Sequence, residues 1–316
     1  MSELLHFDGL DAARLPERAL HLAIGMFDGV HLGHQSVIEA AVHSARRSGG
    51  LAGVLTFWPH PSALFRPDQP TRLMMPMGMK RRVLGDLGIN LVIEQNFSRE
   101  FAAVEAVDFV PFLRKRLPRL SAIYVGENFR FGRGRKGDVA VMVEEARKVG
   151  VAVFSAPRLN HNGAPISSSR IRELLGAGEV AQANDLLGYS YFAEGEVEQG
   201  RQLGRTIGFP TLNLAWQPEL QPRLGVYAVE VLDSAGRVFK GVANYGERPT
   251  VAQGSAPRLE VHLLESSSLT YGDRIKVSWL YFLRPERKFG GLEELQRQIA
   301  LDVEAARQMH QKNVAS

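Results

Sequence analysis

The chain has 316 residues, of which 45% are hydrophobic and 23% charged, with no cysteine and a formal net charge of +4. This length favours two domains over one core, and the absence of cysteine excludes disulfides, cysteine nucleophiles and thiolate metal sites. Because no apolar run reaches the roughly 18 residues of a membrane span, no leader-like segment opens the chain and the basic residues are dispersed, we expect a cytoplasmic protein with neither a membrane nor a nucleic-acid partner.

A glycine-rich stretch follows the first apolar run, at residues 20–24. It reads Gly25-Met-Phe27-Asp28-Gly29-Val-His31-Leu-Gly33-His34 and leads into a helical pattern over 35–48. The pattern predicts a strand, a turn whose glycines allow close backbone approach or positive φ, and a helix start that aims N–H groups at an anion, most simply a phosphate chain. His31 and His34, three residues apart, would share one face and could donate hydrogen bonds to phosphate oxygens. The alternative is a polar turn with a capping role.

Further apolar runs alternate with helical patterns up to residue 155. The predicted strands are 51–58, 89–93, 121–125 and 151–155, and the predicted helices are 35–48, 78–87, 104–117 and 138–149. Strands that alternate with helices indicate a doubly wound α/β domain with a parallel sheet.

Polar or basic loops follow four of these strands. They are the stretch 25–34, Trp58-Pro-His60-Pro, the loop from Gly126 through Asn128 and Arg130, and the segment from Ile166 to Arg172. Because ligands of such sheets bind beyond the carboxyl ends of the strands, we expect the four loops to form one site. In the last of them, Ser168, Ser169 and Arg172 could bind a triphosphate, whereas the alternative is an ordinary serine N-cap.

Together, these motifs resemble the adenylyltransferase module of bacterial FAD synthetases, within the nucleotidyltransferase superfamily. The resemblance spans residues 20–185 and departs at Asn128, where that pattern has Asp, and at Ser169, where it has Thr. It implies that His31, His34 and Arg172 stabilise charge on the phosphates during adenylyl transfer to FMN. It also implies nucleotide binding by Gly25, Phe27, Asp28, Gly29, Gly33, Ser168 and Ser169.

The character of the chain changes after a predicted helix over 180–187 that ends at Gly188. From there, apolar segments follow one another without helices between them, at 189–198, 206–214, 225–232, 237–244, 258–264 and 274–283. Six successive strands predict an antiparallel β-barrel, and the periodic stretch 292–303 predicts a helix after it. We therefore predict two domains, 1–187 and 188–316.

Two stretches of the predicted barrel carry candidate chemistry. The first is a glycine-rich loop and the strand after it, with Gly204, Arg205, Gly208, Phe209, Pro210, Thr211 and Asn213. Thr211 and Asn213 offer neutral oxygens on one strand face that suit Mg²⁺ with a phosphate co-ligand, although an ordinary hairpin has the same pattern. The second is a strand on which Glu260 lies between apolar neighbours, either as a paired structural carboxylate or as a general base.

With Asn244 in a turn that ends at Pro249-Thr250, and with the closing helix, this second set resembles bacterial riboflavin kinases. The two modules in this order resemble the bifunctional riboflavin kinase/FMN adenylyltransferase family over nearly the whole chain. That resemblance implies Glu260 as the base of riboflavin phosphorylation, Mg²⁺ on Thr211 and Asn213, and ATP as co-substrate. The nucleotide would be bound by Gly204, Arg205, Gly208, Phe209, Pro210 and Asn244, and the implied small-molecule partners are riboflavin, FMN and ATP.

Two alternatives stay open at this point. One is a nucleotidyltransferase for another phosphorylated acceptor, with a barrel that binds flavin without catalysis. The other is a non-catalytic flavin sensor or an RNA-binding protein.

Overall fold

The computed structural model describes residues 4–200, 203–247 and 257–314. Contacts divide the chain into two compact units, Met1–Ser168 and Ser169–Ser316, called the α/β unit and the barrel unit below. The predicted Pro249-Thr250 turn and the Arg205 side chain lie outside the described part. Within that part, no helix has the length and apolar character needed to cross a membrane.

The α/β unit alternates strands and helices along the chain. Its strands are β1 (Leu5–Phe7), β2 (Leu20–Ile24), β3 (Leu51–Trp58), β4 (Leu91–Asn96), β5 (Leu120–Gly126), β6 (Ala152–Ala156) and the short pair β7 (Asn160–His161) and β8 (Ala164–Pro165). Its helices are α1 (Leu32–Ser48), α2 (Pro61–Phe65), α3 (Met77–Asp86), α4 (Arg99–Ala102), α5 (Ala106–Arg116) and α6 (Val139–Lys148). Gly49, left-handed at φ 65°, ends α1 shortly before β3 begins.

Six of the described strands form one parallel sheet in the order β1-β4-β3-β2-β5-β6. From β2, the chain adds β3 and β4 on one side, whereas β5 and β6 lie on the other, so the strand order reverses between β2 and β5. Every residue of β2 is buried, as in a sheet with both faces covered. Ligand crevices of such sheets lie at this reversal, beyond the carboxyl ends of the strands.

The predicted doubly wound class is confirmed for this unit, and the structure adds elements that the pattern did not predict. β1 pairs in parallel with β4 at the sheet edge, with Leu5 opposite Leu91. A strand of three residues is too short to show a hydrophobic period, and the same holds for the hairpin β7 and β8. The helices α2 and α4 are likewise only five and four residues long.

The barrel unit begins with helices and continues with strands. Its helices are α7 (Ser168–Ala177), α8 (Val180–Leu187), α9 (Leu203–Thr206) and α10 (Leu292–Val314). Its strands are β9 (Phe192–Glu198), β10 (Leu212–Leu214), β11 (Gly225–Asp233), β12 (Val238–Gly246), β13 (Arg258–Leu263) and β14 (Arg274–Pro285). Helix α7 starts at Ser168, the last residue of the α/β unit.

These strands close into an antiparallel barrel in the order β10-β13-β12-β11-β14-β9, which confirms the predicted architecture. Aromatic side chains pack together in its interior, with the rings of Tyr227 and Trp279 only 4.5 Å apart. Helix α10 covers part of the outer face, where Val303 and Ala306 pack against Val226. The barrel wall therefore has an inner apolar face and an outer face that can carry polar groups.

One predicted strand of the barrel is largely wrong. The pattern predicted a strand over 206–214, but residues 203–206 form the helical turn α9 and β10 covers only Leu212–Leu214. Gly208, at φ 84°, and a backbone hydrogen bond from Phe209 N–H to the Gly204 carbonyl (2.7 Å) fold the segment between them into a loop. The apolar side chains in this loop alternate along the chain as in a strand, which explains the wrong prediction.

Helices α7 and α8 pack with the barrel, whereas the predicted boundary between domains, 187/188, follows α8. The Asn184 side chain on α8 donates to the Trp279 carbonyl at 2.8 Å and accepts from Tyr191 N–H at 2.7 Å. Arg223 N–H donates to the Leu175 carbonyl on α7 at 3.0 Å. These contacts explain the structural division at 168/169, and where the functional boundary lies stays a prediction.

Candidate functional site

The turn after β2 carries the predicted phosphate-binding motif. Phe27, Gly29 and Val30 adopt positive φ angles of 48°, 77° and 36°, so the chain turns sharply before α1. A positive φ is costly for a β-branched residue such as Val30 and persists only where the surroundings fix it. A Cβ at Gly25 would lie 3.1 Å from the Phe27 ring, so the glycine leaves room for that ring.

The structure brings the two predicted histidines together at the start of α1. Their rings stack with centroids 3.6 Å apart and planes within 15°. His31 is the N-cap residue, and its Nδ1 accepts the His34 backbone N–H at 3.3 Å. Because Nδ1 accepts, a neutral His31 carries its proton on Nε2 and is a donor there. A Cβ at Gly33 would lie 3.3 Å from the His31 ring. His31 therefore caps the helix, as the alternative of a polar capping turn predicted, and its Nε2 is still available as a donor.

Asp28 is buried within the turn, and its contact with a nucleotide stays a prediction. Asp28 is 1% exposed, and both of its carboxylate oxygens accept the Met74 N–H, at 3.0 and 3.2 Å. Its carbonyl accepts the Ser168 hydroxyl at 3.1 Å. A buried carboxylate requires such donors, and Asp28 is not among the residues that line the neighbouring cavity. Asp28 therefore supports the turn through these hydrogen bonds.

A cavity of about 840 Å³ lies beside this turn, within the usual size of small-molecule sites. Of the predicted residues, Gly25, Phe27, His31, Gly33 and His34 line it. Loops after three other strands contribute as well, through His60, Asn128, Arg130 and Ile166. The structure thus brings loops from four strand ends to one cavity at the reversal of strand order.

Sequence reasoning missed an aromatic wall of this cavity. Its members are Phe57, Phe65, Phe97, Phe101, Phe109, Phe129 and Phe131. Several of the rings touch edge to face, as between Phe97 and Phe101, with centroids 5.8 Å apart. Phe65 is 65% exposed although it belongs to this apolar wall. The only sequence signal was the density of phenylalanines in 97–112, which an ordinary core helix also shows.

Positive charge lines the same cavity. Arg66, Arg130, Arg135 and Arg158 belong to the lining, and among its described residues Glu127 alone carries a carboxylate. Such an excess of one sign attracts anions. Arg133, three residues after Arg130, pairs with Glu105 at 3.2 Å.

The predicted residues of the Ser-Ser-Ser-Arg segment divide between the units. Ser168 belongs to the α/β unit, where its hydroxyl donates to the Asp28 carbonyl. Ser169 and Arg172 lie three residues apart on α7, in the barrel unit. Their contact with ATP phosphates stays a prediction.

Three predicted residues of the barrel lie in one row across its wall. Strand register pairs Asn213 of β10 with Glu260 of β13, and Glu260 with Asn244 of β12. Residues directly opposite in antiparallel strands point to the same face, with Cβ atoms about 4.5–5.5 Å apart. Leu259 and Val261 are fully buried and point to the other face, so the polar row lies on the outer side. Sheet register alone assembles these groups.

The oxygens predicted to hold a metal lie next to this row. Asn213 is 6% exposed, and its buried Oδ1 has no hydrogen-bond partner among the described residues. A Cβ at Gly200 would lie 2.2 Å from Asn213 Nδ2, so the amide packs directly on backbone. Thr211 is partly buried and precedes β10 by one residue. A buried acceptor without a donor fits a cation ligand.

The glycine-rich loop of the barrel is anchored at both sides of this row. The Pro210 carbonyl lies 2.9 Å from His262 Nδ1, and the Phe209 ring meets the His262 ring edge to face at 5.3 Å. Gln296 of α10, which sequence reasoning missed, donates to the Ile207 carbonyl at 3.2 Å. Gly204 is required sterically, because a Cβ there would lie 2.3 Å from the Phe209 carbonyl oxygen.

Comparison with known proteins assigns the chain to a family. The FAD synthetase family model matches residues 15–170, and the riboflavin kinase family model matches residues 187–310. The bifunctional riboflavin kinase/FMN adenylyltransferase of Escherichia coli (strain K12) is 38% identical over 94% of either chain. The chain belongs to this family. The protein of the same description from Bacillus subtilis (strain 168) is 38% identical over 90% of either chain.

The family's two parts follow one another in the same order as the two units. The FAD synthetase match contains the turn with its histidines and the cavity, and the riboflavin kinase match contains the barrel, its polar row and most of α10. A solved structure from Streptococcus pneumoniae, described as a macrolide-efflux protein, has the same fold, with a TM-score of 0.84, 27% identity and 96% and 98% of the two chains covered.

Proposed function

We propose that the chain carries out two consecutive reactions of flavin cofactor synthesis. The barrel unit transfers the γ-phosphate of ATP to the 5′-hydroxyl of riboflavin and gives FMN and ADP. The α/β unit joins FMN to the adenylyl group of a second ATP and gives FAD and pyrophosphate. The observation that carries this proposal is that matches to both families fall on successive parts of one chain. The first match contains the turn with His31 and His34, and the second contains the row of Asn213, Glu260 and Asn244.

In the kinase reaction, Glu260 is the general base. Its carboxylate takes the proton of the riboflavin 5′-hydroxyl as the oxygen attacks the γ-phosphorus and the bond to ADP breaks. Phosphoryl transfer of this kind depends on positioning and charge stabilisation more than on covalent chemistry. The position of Glu260 between Asn213 and Asn244 supports this role, because the row brings an acid, a neutral oxygen and an amide to one face. Gly204, Arg205, Gly208, Phe209 and Pro210 cover the nucleotide.

Mg²⁺ fits the residues beside this row. The buried, unpartnered Oδ1 of Asn213 among the described residues is the kind of neutral hard ligand that Mg²⁺ takes together with phosphate oxygens and water. Asn213 and Thr211 would hold the ion, which when bound supplies positive charge to the ATP phosphates.

In the adenylylation, an FMN phosphate oxygen attacks the α-phosphorus of ATP and pyrophosphate leaves. His31 and His34 donate hydrogen bonds to the phosphates, and charge on the departing pyrophosphate is stabilised by the arginines of the cavity and by Arg172. Gly25, Phe27, Gly29 and Gly33 shape the turn around the nucleotide, with Ser168 and Ser169 beside it.

The aromatic wall suits the flavin ring. The isoalloxazine is flat and apolar at one end, and rings such as exposed Phe65 and Phe97 offer faces and edges for stacking. A cavity that combines this wall with arginines and histidines favours a ligand with an aromatic part and phosphate. FMN has both.

The test is to incubate the purified chain with riboflavin, ATP and Mg²⁺ and to follow FMN and FAD by chromatography. We expect FMN first and FAD afterwards, and FAD directly when FMN is supplied. A chain that adenylylates another phosphorylated acceptor but leaves both flavins unchanged supports the first alternative. A chain that binds flavin without any product supports the sensor.

A further inference from the structure

A buried ammonium group holds the turn between β2 and α1 and has no role in the reactions above. Lys80 on α3 is 1% exposed, and its Nζ donates to the Met26 carbonyl at 2.8 Å. Thr56 of β3, which is fully buried, donates to the same carbonyl at 3.0 Å, and its Oγ1 lies 3.4 Å from Nζ. Lysine is among the residues least often buried to this extent. Its place beneath a ligand-binding turn therefore needs an explanation.

The turn is strained and is fixed from several elements at once. The positive φ angles of Phe27 and Val30 are unfavourable unless contacts outside the turn over-determine them. Such contacts hold alternate carbonyls of the turn. Lys80 and Thr56 hold the Met26 carbonyl, Ser168 holds that of Asp28, and the Gln35 side chain donates to that of Val30 at 2.8 Å. Lys80 supplies the charged member of this set.

The hydrogen bonds from Lys80 and Thr56 to the Met26 carbonyl also set the direction of the next backbone N–H group, that of Phe27. The peptide between Met26 and Phe27 is trans, so its C=O and N–H point to opposite sides. Phe27 is 2% exposed, lines the cavity, and its N–H has no acceptor among the described residues. The Phe27 ring in turn meets the His34 ring edge to face at 5.3 Å. The position of one carbonyl is thus linked to a backbone donor and to a histidine of the cavity.

We propose that Lys80 is a positioning residue for adenylyl transfer, which holds the Met26 carbonyl and thereby aims the Phe27 N–H and the His31–His34 pair at the ATP phosphates. The inference rests on the adenylylation proposed above. It assigns Lys80 no contact with substrate.

The first test is Lys80→Met in the full chain, which keeps an unbranched apolar side chain as far as Cε and removes the charge and the donors of Nζ. The matched control is Lys148→Met, which removes an exposed lysine of the same unit, at the end of α6. The measurements are kcat and KM for ATP in FAD formation from FMN, FMN affinity by fluorescence, and riboflavin phosphorylation. For Lys80→Met, we expect kcat/KM for ATP to fall about 10²-fold, the scale of a misplaced reacting group. FMN affinity and phosphorylation should stay at the wild-type values, and Lys148→Met should change none of them.

A second variant keeps the test decisive if Lys80→Met does not fold. Thr56→Val removes the other donor to the Met26 carbonyl with almost no change of volume. We expect a smaller loss of about fivefold in kcat/KM for ATP, the scale of one hydrogen bond. FMN affinity should again be unchanged.

Several results would overturn the inference. The first is a folded Lys80→Met chain that adenylylates FMN like the wild type. The second is a loss of FMN affinity in Lys80→Met as large as its loss of kcat/KM for ATP. The third applies if only Thr56→Val folds, and is an unchanged kcat/KM for ATP in that variant. The second result would mean that Lys80 maintains the structure of the whole cavity and does not act on the ATP site in particular. A wild-type chain that forms no FAD from FMN removes the proposed adenylylation and this inference together, and is recognised without any variant.

Discussion

On our proposal, both units bind phosphate groups, but the backbone positions the binding groups in different ways. In the α/β unit, the binding groups lie on a turn with unfavourable backbone angles at Phe27 and Val30, and neighbouring elements hold that turn in place. In the barrel unit, Asn213, Glu260 and Asn244 lie on three regular strands, and sheet register places them side by side. The first site is built by contacts between distant segments, and the second by the strand pairing that also makes the barrel.

This difference predicts where each activity is vulnerable. A strained turn loses its geometry when a supporting contact outside the site is removed, so mutations far from the ligand should impair adenylylation. A row set by register keeps its geometry as long as the barrel folds, so loss of kinase activity should require changes in the row or its covering loop. Because one chain has both activities, each serves as the folding control for the other.

The largest effect is expected from Glu260→Gln. The amide keeps the shape of the side chain and cannot accept the hydroxyl proton, so riboflavin phosphorylation should fall about 10²- to 10⁴-fold. FMN adenylylation should persist. The control is Glu196→Gln, an exposed glutamate on strand β9 of the same barrel. If Glu260 is structural, its variant will melt at a lower temperature while the folded fraction keeps wild-type turnover, so both rates and the melting temperature are measured on one preparation.

The next effect is expected in the α/β unit. His31→Ala with His34→Ala should lower FAD formation from FMN by about 10²-fold, the scale of losing donors to developing charge. Phosphorylation of riboflavin should continue. His43→Ala is the matched control, since His43 is an exposed histidine on the same helix.

A further variant separates the two roles of His31. His31→Asn keeps an N-cap acceptor and removes the imidazole donor, so it should retain the helix stability that Ala loses, about 1 kcal/mol. The comparison is with His31→Ala alone. If His31→Asn adenylylates FMN like the wild type, capping alone explains His31, and its proposed phosphate contact is wrong.

A smaller effect is expected from the loop that covers the barrel site. In Gly204→Ala, the new Cβ would lie 2.3 Å from the Phe209 carbonyl oxygen, so the loop must shift. We expect kcat/KM for riboflavin phosphorylation to fall about 10-fold, less than for a misplaced reacting group. Gly291→Ala, where a Cβ meets nothing within 4 Å, is the control in the same unit. Equal kinetics of the two variants would contradict a covering role of the loop.

The smallest effects concern stability against pH, with one histidine as reporter in each unit. Burial lowers the pKa of His21 in the α/β unit and of His310 in the barrel unit. Burial therefore favours the neutral form of both rings in the folded state, whereas the unfolded chain protonates them near their ordinary pKa of about 6.5. Their contribution to stability is present above that pH and is lost as the pH falls below it, by at most about 1.4 kcal/mol per pH unit for each group.

Urea unfolding at a series of pH values between 5 and 8 measures this loss. His310→Gln should flatten the pH dependence of the barrel unit, and His21→Gln that of the α/β unit, where His21 lies 3.0 Å from the Tyr124 hydroxyl and 2.8 Å from Ser48 Oγ. A slope that neither variant changes would assign the pH dependence to other groups.

The predictability of the fold follows the length of its elements. β3 was predicted with its observed bounds, and the barrel strands β11 to β14 to within two residues at either end, since long runs show their period clearly. β1 and β10, with three residues each, were missed or misjudged. That α7 and α8 pack with the barrel could not be read from the sequence, because the pattern of a helix says which face is apolar but not which partner covers it.

The sequence by itself determined the kinds of element, the order of the two modules, and the motifs that carry the histidines, the hydroxyls and Glu260. These features depend on neighbours in the chain or on strand period, and such information is local. Only the tertiary structure decided that Asp28 supports the turn, that phenylalanines from several elements form one wall, and that Lys80 reaches the Met26 carbonyl. Met26 and Lys80 are 54 residues apart in the chain, and no local pattern distinguishes a lysine buried by packing from one in solvent.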